Sequence, residues 1–150
     1  MILKKKTFNQ INDIDYLVYL PDEYYNDEKS YPLVLFLHGA GERGNNVDSI
    51  KKHGIPKRIE EGAHFPFITI APQCRDGIWW SNRENINILE KLMNCSILDL
   101  KVDEKRIYGT GLSMGGFGIL ELALRIPSLF TAIVATVSYT HLRAHETSDY

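Results

Sequence analysis

The hydrophobic pattern divides the chain into alternating strand-like and helix-like segments. Asp13–Leu20 alternates polar and apolar residues before Pro21, as a half-buried strand does. Asp22–Ser30 is a polar turn. Leu33–Leu37 is an uninterrupted apolar run ending at His38-Gly39, the pattern of a strand buried on both faces. A Gly-rich loop, GAGERGNN, follows. In KKHGIPKRIEEG, Pro56 suits a first helical position and Gly62 the residue just past the helix end. Phe67–Ala71 is a second buried strand. Ser81–Glu84 (SNRE) has the form of a capping box, opening a helix that brings Ile86, Leu89, Met93 and Ile97 near one face. KRIYGTG predicts a third strand. Met114–Arg125 predicts a helix stopped before Pro127, and LFTAIVAT a fourth strand. The alternation predicts an α/β class with a mainly parallel sheet flanked by helices.

Composition adds bounds. At 150 residues one domain is expected, and 44% apolar with 24% charged residues is an ordinary globular balance. A net charge of −2 gives no footprint for nucleic acid or an anionic membrane, and Lys4-Lys5-Lys6 reads as a solvated end. No run approaches a membrane span, and MILKKKTFNQ lacks the apolar core of a signal peptide. Cys74 and Cys95 lack CxxC spacing, so free thiols and a cytoplasmic location are expected.

The chemistry concentrates in two glycine-rich turns. GTGLSMGG contains G-x-S-x-G at Gly111, Ser113 and Gly115. With a strand before it and a helix after it, the pattern predicts a nucleophile elbow, a strained turn that lifts the serine above the sheet. Ser113 would stand at a helix N-terminus, where backbone N–H groups favour developing negative charge. LHGAGERG, after the first buried strand, can turn N–H groups toward the same place. The expected oxyanion donors are the N–H groups of Met114 and of Ala40, with Gly41 as the alternative. His38 is expected to brace this loop rather than act as the base. Glu42 and Arg43 fit either a structural ion pair or the cleft mouth. Neither glycine-rich stretch matches a phosphate-binding pattern. Trp79 or Trp80 is placed to line a pocket for an aromatic or sugar group, or to pack on the helix that follows. His53 and His64 read as surface residues.

YLPDEYY, PLVLFLHGAGERG, KHGIP, FITIAPQC, LKVDEKRIYGTGLSMGGFG and IPSLFTAIVA together resemble the alpha/beta-hydrolase superfamily. The branch is the one often labelled predicted peptidase, near the feruloyl and acetyl esterases and the polyhydroxybutyrate depolymerases. The resemblance runs from about Tyr16 to Ala135. It implies a serine hydrolase with Ser113 as nucleophile, no metal or organic cofactor, and a small-molecule carboxylic ester as substrate. A peptidase of the same fold and a noncatalytic binding module are the alternatives. The family's order is Ser, then Asp or Glu, then His. Only one helix and one strand fit between Ser113 and Ala135, so the acid and the base are expected further on.

The chain closes on VSYTHLRAHETSDY, Val137–Tyr150. Its start through Thr147 matches what a common transposase-type sequencing-library adapter encodes in one reading frame. Thr136 before it, and Ser148–Tyr150 after it, keep the same phase. Residues 1–136 are therefore expected to be a truncated alpha/beta-hydrolase domain lacking the C-terminal strands, and 137–150 a non-native tail. The chain as given would then lack the triad acid and base and be inactive. If the tail is genuine, His141 and His145 become candidate bases.

Overall fold

The computed structural model describes residues 1–9 and 13–136. Six strands form one sheet: β1 (Ile2–Phe8), β2 (Ile14–Leu20), β3 (Tyr31–Leu37), β4 (Ile68–Pro72), β5 (Val102–Leu112) and β6 (Ala132–Thr136). Their spatial order is β1-β2-β4-β3-β5-β6. β4, β3, β5 and β6 run parallel, while β1 and β2 form an antiparallel flank. The α/β class and the mainly parallel sheet are thus as the pattern predicts.

β3 lies in the middle of the sheet and is buried for a chemical reason: both faces of LVLFL are apolar. Leu33, Leu35 and Leu37 enter a core shared with Ile68, Ile70, Trp80, Leu89, Met93, Ile119 and Leu122. Phe36 points the other way, into a second core with Leu17, Tyr19, Ile50 and Ile59. This period of two is the geometry of a strand. Helices α2 (Arg83–Asp99) and α3 (Met114–Arg125) cover the first face, and α1 (Gly54–Glu60) covers the second. Each fully buried leucine or isoleucine contributes about 1.5–3 kcal/mol of transfer free energy.

The structure departs from the sequence reading in four places. β1 was not expected; Lys4, Lys5 and Lys6 are solvent-exposed, but they lie on an edge strand that pairs along its whole length with β2. Val47–Lys52 forms a 3-10 helix that the sequence reading did not include, capped by the Asn46 side chain, which accepts from Asp48 N–H. α1 starts at Gly54, two residues before Pro56. The N-cap of α2 is Asn82 and not Ser81: its side-chain oxygen accepts from Glu84 N–H at 2.9 Å, where the capping box placed the serine hydroxyl. Asparagine is as good a cap as serine, so local pattern could not choose between adjacent residues.

Among the described residues β6 borders β5 alone, and Val134 on it is exposed. On α3, Leu124 is also exposed.

Candidate active site

β5 and α3 meet at Ser113. The residue sits at φ 53°, ψ −112°, the only non-glycine residue with positive φ among those described. An L-residue with a Cβ resists this region, at a cost on the order of 1–3 kcal/mol, and such strain is characteristic of functional turns. The surroundings hold it in place. A Cβ on Gly115 would meet the His38 carbonyl oxygen at 2.7 Å and the Leu37 carbonyl closer still. One on Gly111 would meet Gly116 N at 2.7 Å, with the Gly115 carbonyl closer. Both obstacles are backbone, which cannot swing aside. The two glycines therefore let α3 press against β5 and the end of β3. Ser113 N–H donates to the Thr136 carbonyl at 2.6 Å, tying the elbow to the end of β6.

The loop after β3 lies against this elbow. A Cβ on Gly39 would fall 3.4 Å from the Leu112 carbonyl oxygen and 3.9 Å from Ser113 Cβ. Ala40–Glu42 forms a 3-10 turn whose first internal bonds run from Glu42 N–H to Gly39 and from Arg43 N–H to Ala40. The Ala40 and Gly41 N–H groups precede those bonds. Met114 N–H likewise precedes the first intrahelical bond of α3, which Phe117 N–H makes to the Ser113 carbonyl at 3.3 Å. Met114 itself is 1% exposed. The loop and the helix N-terminus are thus on one side of the sheet, next to the serine.

His38 is fully buried and both ring nitrogens are engaged. Nε2 accepts from Cys74 N–H at 2.9 Å, and Nδ1 lies 2.6 Å from the Gly39 carbonyl. This pattern fixes a neutral ring with its proton on Nδ1. Burial, chiefly, and the nearby Arg43 push its pKa down to about 4. The imidazole has no lone pair left for a serine proton and braces the loop. Arg43 does the same from outside, donating to the Ala40 and Ile78 carbonyls, each at 3.0 Å. Glu42 is buried and makes no ion pair with Arg43; its Oε1 stands 3.7 Å from the Gly39 Cβ position. His53 precedes α1 and is exposed; His64 stands 3.6 Å from both Asp22 and Glu23. Among the described residues no histidine hydrogen-bonds to Ser113, and His141 and His145 lie outside the described residues.

The two tryptophans differ in burial. Trp80 is fully buried against α3: its Nε1–H donates to the His38 carbonyl at 2.9 Å, and its ring lies 5.0 Å from that of His38. Trp79 is 43% exposed and faces Phe117, one turn into α3, with ring centroids 6.4 Å apart. Phe117 was missed by the sequence reading, since nothing in MGGFG separates a site aromatic from a core one. Among the described residues no group of histidine, cysteine or acidic side chains is placed to hold a metal ion.

No protein-family model matches the chain. Feruloyl esterase C of Emericella nidulans is 32% identical over 130 residues, which make up 83% of this chain and 46% of that protein. The probable feruloyl esterase C of Aspergillus flavus is 29% identical over the same shares. The chain thus spans just under half the length of the curated relatives it matches. Among solved structures, a thermostable esterase is 29% identical with a TM-score of 0.72, covering 89% of this chain and 40% of that one. An S-formylglutathione hydrolase from Staphylococcus aureus has a TM-score of 0.73 at 16% identity, over 95% of this chain and 62% of that one, and shows the fold alone. The strand order, the strained serine turn and these likenesses agree: the chain has the alpha/beta-hydrolase fold and aligns with the esterase branch of that superfamily.

Proposed function

We propose that this chain is the nucleophile-bearing part of a serine hydrolase that cleaves carboxylic esters of small molecules. The observation that carries the reading is Ser113 held at positive φ beside the Gly39–Ala40 loop. In the reaction the Ser113 hydroxyl oxygen attacks the ester carbonyl carbon and its proton passes to a base. The tetrahedral oxyanion is stabilised by N–H groups of Met114 and Ala40. Collapse breaks the C–O bond to the alcohol, which leaves with the proton, and water then hydrolyses the acyl-serine. No metal or organic cofactor is required.

His38 is committed to the loop, so the base and its acid partner come from chain beyond Ala135. Residues 1–136 are then one truncated domain, and 137–150 a translated adapter. An aromatic acyl group suits the surface offered by Trp79 and Phe117 within one helical turn of Ser113. That fits relatives named as feruloyl esterases. The free thiols of Cys74 and Cys95 suit a reducing compartment, and a cytoplasmic location goes with them; cell fractionation tests it. No helix among the described residues is long and apolar enough to cross a membrane.

The test begins with the source DNA past the Ala135 codon. Continuation to an Asp and then a His is the expected result, and the full product should then hydrolyse methyl ferulate. Ser113→Ala in that product should lower kcat by roughly 10⁴-fold or more. The 150-residue chain should give no turnover of an activated aryl ester above its Ser113→Ala variant. Ser113-dependent turnover at enzymatic rates by the short chain would overturn the assignment of the base. A full product indifferent to Ser113→Ala would overturn the reaction itself.

A further inference from the structure

Glu42 closes the Ala40–Glu42 turn, and both of its backbone groups are engaged. Its N–H donates to the Gly39 carbonyl at 3.3 Å, and its carbonyl accepts from Gln73 Nε2 at 2.9 Å. The side chain is thus held at its base, and the residue is only 6% exposed. Among the described residues the carboxylate has no hydrogen-bond donor and no ion pair. Neither oxygen is sealed off: the fully enclosed side-chain oxygens without a partner are those of Thr69 and Gln73.

The carboxylate stands beside the nucleophile. One point, the Gly39 Cβ position, lies 3.7 Å from Glu42 Oε1 and 3.9 Å from Ser113 Cβ. A largely buried carboxylate without a donor is costly. This one also opposes the negative charge that an ester would develop at the neighbouring N–H groups. A donor that arrives with the substrate removes both penalties, and only while the ester is bound.

The chemistry of that donor follows from the surroundings. Arg43, next in the chain, brings a positive charge into the same loop, donating to the Ala40 and Ile78 carbonyls. The two charges balance, so a neutral donor fits better than a cation, and a hydroxyl supplies one. With an aromatic acyl group on Trp79 and Phe117, the part of the ester left to face Glu42 is the alcohol. We infer that Glu42 determines specificity at this site by accepting a hydrogen bond from a second hydroxyl on the alcohol part of the ester, so that the substrates are monoesters of diols and polyols. This inference rests on the serine-esterase reading.

The test compares kcat/KM of the full product on 2-hydroxyethyl ferulate and 2-methoxyethyl ferulate, which differ in the donor. The hydroxyethyl ester should be preferred about tenfold, the effect of one hydrogen bond to a charged group. Glu42→Leu, which removes both oxygens, should bring the ratio close to one, and Glu42→Gln should leave it in between. Each ratio is taken within one protein, so loss of folded material cancels. No preference in the wild type, or a preference that survives in Glu42→Leu, overturns the inference and leaves Glu42 a structural part of the loop. The choline ester carries a cation without a donor, and its preference over the hydroxyethyl ester would overturn the hydroxyl class. Ser113→Ala reads the reaction separately. Hydrolysis that depends on Ser113 but ignores the hydroxyl sinks this inference alone, whereas hydrolysis indifferent to Ser113 sinks the esterase reading and this inference with it.

Discussion

Acidification should destabilise this protein through His38, and the effect can be isolated. In the native state the ring is fully buried and neutral, with Nε2 accepting from Cys74 N–H and Nδ1–H donating to Gly39. Protonation would put a second donor on Nε2 facing the Cys74 donor, inside the core. Burial is the main reason that the pKa falls from 6.5 to about 4, with Arg43 adding to it and the Gly39 bond opposing it. The unfolded chain therefore binds the proton first, between pH 6.5 and about 4, and stability must rise with pH across that window. The contribution is complete above pH 6.5 and is lost as pH falls through about 4. A shift of this size corresponds to about 3 kcal/mol, with a slope of at most about 1.4 kcal/mol per pH unit. The assay is urea unfolding of wild type and His38→Gln across this range. Glutamine can bond the same backbone groups but does not titrate. The lowered carboxyl pKa values of Asp22, Asp27, Asp48 and Asp103 affect both proteins and cancel in the difference. Wild type and variant should converge by about 3 kcal/mol on acidification. A gap that stays constant with pH would refute the neutral, bracing role and return His38 to the candidates for the base.

Other substitutions probe the elbow. Gly115→Ala, which drives a Cβ into the backbone of Leu37 and His38, should cost more than about 3 kcal/mol, whereas Gly41→Ala, with open space around it, should stay within about 0.5 kcal/mol; equal urea midpoints would refute the close approach. Ser113→Gly removes the Cβ that resists φ 53° and should raise stability by about 1 kcal/mol, and a lower midpoint would count against stored strain. Trp80→Ala should cost about 3–5 kcal/mol from a fully buried site. Trp79→Ala should cost under about 1 kcal/mol but lower the preference of the full product for aromatic over acetyl esters. Unchanged selectivity would remove Trp79 from the acyl site.

Much of this molecule follows from sequence because its signals are local. LVLFLHG could only be a strand buried on both sides, and β3 lies mid-sheet with side chains feeding two cores. GTGLSMGG predicts a strand-to-helix turn around Ser113, and the positive φ is there. Gly111 and Gly115 mark where backbones touch. The signals themselves lie within a few positions of one another, although the backbone that Gly115 meets is that of Leu37 and His38.

Other features depended on partners distant in the chain. β1 has a weak pattern of its own and exists through its pairing with β2. Which of two adjacent tryptophans is buried was settled by α3 packing on Trp80, a contact between segments far apart in sequence. That His38 braces its loop was expected from the motif, but its neutrality follows from the Cys74 amide, 36 residues away. The buried Gln73 amide donates to carbonyls of a loop that follows a different strand. Sequence determines which local conformations are low in energy. Burial and hydrogen-bond completion are properties of assembled neighbours, and only the tertiary structure supplies those.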